Sequence, residues 1–293
     1  MDQAQKLREI IYKTKGDVDL DSLDQLSDVN DARVITVSSG KGGVGKTNFA
    51  VNLSLALQRQ GKRVTIIDAD LGLANVDVVL GLVPKYSLSH VIRKEKSIQD
   101  VIMEGPEGLR VISGGSGVMD LVNLDEEEVV TLIESFHHLN QDADYIIIDT
   151  GAGLSSSVMS FIRAASDVIM VITPDPTSIT DAYAVIKNVS SQDIQMKVVV
   201  NRVESNQEGQ NVFTRLNSAT KKFLDIELEN LGYIYDDNNV RKSVRNQKPF
   251  LLTYPNCLAS RGVELIAYNI DNNKIYTHEE KGFTRFLSRL FRT

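Results

Sequence analysis

Tryptophan is absent from this 293-residue chain, and cysteine occurs once, at Cys257. A single cysteine excludes a disulfide framework and any multi-thiolate metal site within one chain. Its plain reading is a small apolar filler rather than a nucleophile. Proline occurs only six times. No apolar run approaches the roughly 20 residues that span a bilayer. The first residues are polar and charged, so no signal peptide is expected and a cytoplasmic protein fits best. There is no excess of positive charge either. The balance is -7, which argues against a protein whose main work is coating nucleic acid. One local basic cluster remains, Arg241, Lys242, Arg245 and Lys248. No internal repeat is visible.

What is present is an apolar share of 42%, enough for a sizeable core. Apolar, β-rich runs recur at 34–37, 63–68, 109–112, 145–149, 167–173, 197–201 and 231–235. Helical patterns lie between them at 47–60, 125–139, 155–165, 177–189 and 212–224, the first stopping at Gly61. Most of the strand runs are continuously apolar rather than alternating. That marks strands buried on both faces, and predicts a doubly wound, mostly parallel α/β sheet covered by helices. The expected domain spans 32–275. Before it, at 1–31, come a helix-like stretch at 2–12 and an acidic linker at 16–31, which reads as a solvated tether. After it, at 276–293, comes an amphipathic tail.

Gly40-Lys41-Gly42-Gly43-Val44-Gly45-Lys46-Thr47 matches the Walker A pattern between a predicted strand and a predicted helix. Glycines let backbone N–H groups curl around a phosphate, the helix N-terminus adds positive potential, and Lys46 adds a point charge. Thr47 offers a hydroxyl to Mg²⁺. Two acidic strand ends complete the expected site, Asp68 with Asp70 after one strand and Asp149 after another. Carboxylates at that edge of a parallel sheet sit where ligands bind. One of them is expected to hold Mg²⁺ directly or through water, which gives Thr47, Asp68 and Asp149 as the metal set.

Lys41 is the unusual member, since an ordinary Walker A loop needs no lysine there. Lys41-Gly-Gly-Val-Gly-Lys-Thr47 resembles the deviant Walker A of the MinD/ParA class of ATPases. The resemblance implies an ATP-dependent homodimer in which Lys41 touches the partner's phosphates. It also implies slow hydrolysis of ATP to ADP, with Lys41, Lys46 and Asp70 as the catalytic groups. The run 68–75 resembles the first switch, where Asp70 orients the attacking water. Asp149-Thr150-Gly151-Ala152-Gly153 resembles the second, with a glycine at 151 where relatives often carry proline or alanine, a change expected to loosen it. Asn201-Arg202 resembles the adenine-reading pair.

Several stretches are similar to one branch of that class, the flagellar number and placement regulators (FlhG, FleN and YlxH). They are 68–77, 113–120, 173–183 and 240–245. In physical terms 173–183 is a capped helix start, with Thr177 and Asp181 expected to serve the first turns. The stretch 2–8 resembles the motif with which that branch stimulates an SRP-type GTPase, FlhF. Gln3, Leu7 and Arg8 would be its contact residues, and Ala4, Leu7 and Ile11 share one helical face. The branch further implies flagellar C-ring proteins as partners. In the tail, Phe283, Phe286, Leu287, Leu290 and Phe291 fall at i, i+3, i+4, i+7 and i+8. Arg285, Arg289 and Arg292 lie off that stripe, which predicts a reversible anchor on an anionic membrane surface. The same stripe can instead pack on the protein's own core, or do both in turn. Two rival readings are a DNA-partitioning ATPase of ParA type and a scaffold that binds nucleotide without hydrolysing it.

Overall fold

The computed structural model describes residues 32–70, 75–115, 135, 139–140, 142–165, 167–189, 194–272, 286 and 290. Runs of valine and isoleucine give β1 (Arg33–Ser39), β2 (Val64–Ala69), β5 (Tyr145–Ala152), β6 (Asp167–Ile172) and β7 (Gln195–Val203). Shorter or more polar runs give β3 (Ile102–Glu104), β4 (Arg110–Ile112) and β8 (Glu229–Tyr235). All eight join one sheet in the order β3-β4-β2-β5-β1-β6-β7-β8. Every pairing is parallel except that of β3 with β4. The doubly wound α/β expectation holds. From β1 the chain goes to one side and returns through β5, then β6 continues on the other side. The strand order therefore reverses at β1, where open α/β sheets hold their ligands.

Ten α-helices are described: α1 (Lys46–Arg59), α2 (Asn75–Leu80), α3 (Leu88–Ile92), α4 (Ile98–Val101), α5 (Ser156–Ala164), α6 (Pro176–Val189), α7 (Asn206–Leu224), α8 (Asn238–Arg245), α9 (Phe250–Thr253) and α10 (Leu258–Asn272). Alternate residues of the central strands feed two cores. Ile146, Ile148, Val168 and Met170 face α5, α6 and α7 through Val158, Ile162, Val185 and Leu216. Ile147, Ile169 and Val199 face α1 and α10 through Phe49, Leu53, Val263 and Ile266. Each such side chain, fully buried, contributes about 1.5–3 kcal/mol.

Three differences from the sequence reading have physical causes. Helix α7 starts six residues earlier than its apolar pattern, because Ser205 accepts from Glu208 N while Glu208 returns to Glu204 N. That is capping chemistry, not burial. Helix α10 has no counterpart among the expected elements. Its buried line of Ala259, Val263, Ile266, Ala267 and Ile270 is masked by the exposed Leu258, Leu265 and Tyr268 on its outer face. Helix α6 is capped by Asp175, whose Oδ1 takes Thr177 N at 3.2 Å behind Pro176. Thr177 and Asp181 therefore lie inside the first turns and do not close them.

At the end of the sheet away from the glycine loop, Asp167 is buried between Arg33 (2.8 Å) and Lys197 (3.2 Å). Lys197, also buried, reaches Glu229 at 3.6 Å, so one chain of charges ties β1, β6, β7 and β8. The stretches expected at 1–31, most of 125–139, and all of 276–293 except Phe286 and Leu290 lie outside the described residues. No helix among the described residues is long and apolar enough to cross a membrane.

Candidate nucleotide site

The loop from Gly40 to Gly45 joins the buried strand β1 to α1, as the Walker A context requires. Two of its glycines are there for distinct reasons. Gly45 has φ 93°, and a Cβ on it would lie 2.4 Å from Asn201 Nδ2. At Gly40 a Cβ would lie 2.3 Å from the carbonyl carbon of Asp181, so the loop rests directly on the backbone of α6. Around Gly42 and Gly43, by contrast, a Cβ would meet nothing among the described residues. No side chain caps α1 at Gly45 and no acidic residue stands in its first turn. Uncapped N–H groups at a helix start form an anion site.

Lys46 Nζ donates to Asp149 Oδ1 at 2.6 Å, and Asp149 has no solvent exposure. Burial pushes the Asp149 carboxyl up, opposed by the charge of Lys46 and by the Thr47 side chain. Its second oxygen, Oδ2, has no hydrogen-bond partner among the described residues. A buried carboxylate oxygen left over beside a lysine and a threonine fits a cation with attached phosphates, so these residues suit the group the motif implies. Asp68 stands on the neighbouring strand, in register with Asp149. It is pushed up to about 7, first by burial and then by the Asp149 charge. Both of its oxygens already accept backbone N–H groups, from Asp70 and from Val76, each at 3.0 Å.

Asp70 follows β2 directly and accepts from Asn75 Nδ2 at 2.9 Å. Gly151, placed by the sequence in a switch, lies within β5, and a Cβ on it would stand 3.5 Å from Asp70 Oδ1 and 3.2 Å from Val158. Its lack of a side chain leaves room beside Asp70.

Lys41 lies on the exposed side of the loop. Its ammonium pairs with Asp175 and donates to Thr177 Oγ1 at 2.6 Å. The bond to Lys41 holds the Asp175 carboxyl below the usual carboxylate range. Asn201 Nδ2 donates to Val44 O at 2.7 Å, which brings the Asn201-Arg202 pair to the base of the loop. Arg202 takes a left-handed φ of 60°, and its N–H donates to Asn201 Oδ1 at 2.9 Å.

The structure thus gathers Gly40 to Thr47, Asp68, Asp70, Asp149 and Asn201 at one edge of the sheet. Gln3, Leu7, Arg8, Phe283, Leu287 and Phe291 lie outside the described residues. Phe286 and Leu290 are buried in the core, and the Phe286 ring stacks on Phe161 at 6.4 Å. Sequence reasoning missed Asn75 and Asp175. Asn75 had only its place in the switch run as a signal, and Asp175 only its place before Pro176.

A family model described as "ParA: NUBPL iron-transfer P-loop NTPase" matches residues 30–271. The chain is 41% identical over 268 residues to "Antiactivator FleN" of Pseudomonas aeruginosa, covering 91% of this chain and 96% of that one. It is 36% identical over 236 residues to "Flagellum site-determining protein YlxH" of Helicobacter pylori, covering 80% of each. Among solved structures, the septum site-determining protein MinD with Mg-ADP from Pyrococcus horikoshii superposes with a TM-score of 0.66 at 25% identity. That match covers 83% of this chain and 97% of MinD. Loop, strand-end carboxylates and relatives agree: the chain belongs to the ParA/MinD family of P-loop NTPases and is an ATPase.

Proposed function

We propose that this ATPase is a nucleotide switch controlling the number and placement of flagella. ATP joins two copies, the dimer engages membrane and partners, and slow hydrolysis resets it. One observation carries the dimer reading. Among the described residues Lys41 stands at the loop with exposed partners, Asp175 and Thr177, while Lys46 pairs with the buried Asp149. A second loop lysine on such partners is available to another copy's phosphates. The flagellar assignment rests on the antiactivator and site-determining proteins named above.

Within the site, Lys46 and the uncapped start of α1 bind phosphate, and Lys41 adds charge from the partner copy. Thr47 and Asp149 would hold Mg²⁺, which neutralises phosphate charge when bound. Asp68 stands behind them, since its oxygens are engaged by Asp70 and Val76, and contacts the ion through water at most. Asp70 orients the attacking water, held by Asn75. Asn201 and Arg202 read the adenine.

The N-terminal segment, through Gln3, Leu7 and Arg8, stimulates the SRP-type GTPase FlhF, and C-ring proteins are further partners. The C-terminal stripe is a membrane anchor that is docked on the core in the monomer and released in the dimer. The burial of Phe286 and Leu290 in the core, with Phe286 stacked on Phe161, supports the docked half of that cycle. With one cysteine per chain, iron transfer has no thiolate set within a subunit.

Sedimentation with ADP and then ATP, with and without anionic liposomes, tests the reading. The expected result is a dimer that pellets with liposomes only in ATP, and that Asp70→Ala makes permanent. A monomer with Asp70→Ala in saturating ATP would remove it. The DNA-partitioning alternative keeps one observation in its favour. Arg241, Lys242, Arg245 and Lys248 are all exposed on or just after α8. A salt-dependent shift of duplex DNA by the ATP dimer would favour it.

A further inference from the structure

The chain that leaves β2 is held at both ends by side chains. Asp68 accepts from Asp70 N and from Val76 N, and Asn75 Nδ2 donates to Asp70 Oδ2. Asn75 and Val76 open α2. Two residues past Asn75, about 200° around the helix, Asp77 turns into the protein. It is 3% exposed and accepts the Ser113 hydroxyl at 2.8 Å. Ser113 is buried too and follows β4 directly. Its carbonyl accepts Leu88 N, the first residue of α3, at 3.0 Å. Strand β4 pairs with β2 in the register Ile67 to Ile112, which sets Ser113 next to the strand end that carries Asp68.

The other oxygen of Asp77 has no hydrogen-bond partner among the described residues. A buried carboxylate with one hydrogen bond is a poor way to stabilise a core, and an apolar side chain of similar volume serves stability better. Helix α2 has only six residues, less than two turns, so one directional anchor sets its rotation. We propose that Asp77, through its bond to Ser113, is a positioning residue for ATP hydrolysis: it locks the rotation of α2 so that Asn75 holds the Asp70 carboxylate in place. The proposal rests on the reading of Asp70 as the group that orients water. Asp77 touches no reacting atom. Rotation of α2 by a fraction of a turn swings Asn75 away from Asp70, and small misplacements are costly to rate.

The test is steady-state phosphate release from ATP, together with the affinity for a fluorescent ADP. Ser113→Ala and Asp77→Ala are expected to lower kcat about tenfold and to leave KM for ATP and ADP affinity unchanged. Asp77→Asn still presents an oxygen to the Ser113 hydroxyl and restores most of kcat. The double variant with both alanines is no worse than either single one, because the two side chains act as a unit. On an Asp70→Ala background, Asp77→Ala produces no further loss. Wild-type kcat in Ser113→Ala would overturn the proposal. So would kcat and ADP affinity falling together, or an Asp77→Asn as impaired as Asp77→Ala. If Asp77→Ala does not fold, Ser113→Ala and Asp77→Asn carry the same test. A fully active Asp70→Ala is a different failure: it removes the water-orienting reading itself, and with it the route through Asn75.

Discussion

The two lysines of the phosphate loop stand five residues apart in opposite surroundings. Lys46 is buried against an Asp149 that has no exposure, while Lys41 rests on Asp175 and Thr177 at the surface. Removing one member of a buried pair strands the other charge, which costs about 3–5 kcal/mol. An exposed pair costs about 0–1 kcal/mol to lose. One lysine therefore belongs to the interior of the monomer, and the other can change partners without disturbing the fold. The difference separates what builds the site from what is free to report on it.

The largest expected effect breaks the buried side of this contrast. Lys46→Ala should lower phosphate release at least about a hundredfold and destabilise the nucleotide-free protein by roughly 3 kcal/mol in a urea titration. Adding Asp149→Asn should recover most of the stability and none of the hydrolysis. Recovery of both would mean that Lys46 serves structure alone.

Acid titration sharpens the contrast next. Asp68, at the buried side, is raised from 3.8 to about 7 by burial and by Asp149. Its proton is held more tightly folded than unfolded. Its contribution to stability is fully present below about pH 4 and is lost as pH rises through about 7, an effect of roughly 2–4 kcal/mol. Asp175, at the exposed side, is lowered by Lys41, so its smaller contribution runs the other way and is lost on acidification. Thermal melts without nucleotide or metal should show stability falling from pH 5 to pH 8, and Asp68→Asn should flatten that fall. An unchanged profile in that variant would assign the slope elsewhere.

The smallest effect on stability belongs to Lys41→Ala, expected to change it by no more than about 0.5 kcal/mol. That variant should still bind nucleotide as a monomer yet fail to dimerise in ATP on a sizing column. A normal dimer would end the trans assignment.

Much of this contrast is legible in the sequence. The glycine loop, the strand ends with Asp68, Asp70 and Asp149, and the continuously apolar β1, β2, β5, β6 and β7 all follow from local pattern. What is not legible depends on distant partners. Asp175 is an ordinary residue before a proline until folding brings Lys41 beside it, 134 positions away in the chain. Asp77 and Ser113 are 36 positions apart, and nothing in the local pattern pairs them. Helix α10 was hidden because the apolar residues on its exposed face blur the period of its buried face. The anchor stripe shows the same limit, since a pattern of phenylalanines and leucines cannot say whether Phe286 meets lipid or Phe161.

The charge chain at the far end of the sheet has a consequence for how this sequence can change over time. Asp167 and Lys197 are both buried and pair with each other, with Arg33 and Glu229 as their outer partners. A single substitution at either position leaves a buried charge with only its outer partner, Arg33 or Glu229, and is destabilising, whereas exchanging both for apolar residues of similar volume can be neutral. A domain with a margin of about 5–15 kcal/mol tolerates few such steps. The two positions should therefore drift as a linked pair. In a library randomised at both, the survivors should be either the intact ion pair or two apolar residues, with mixed combinations depleted.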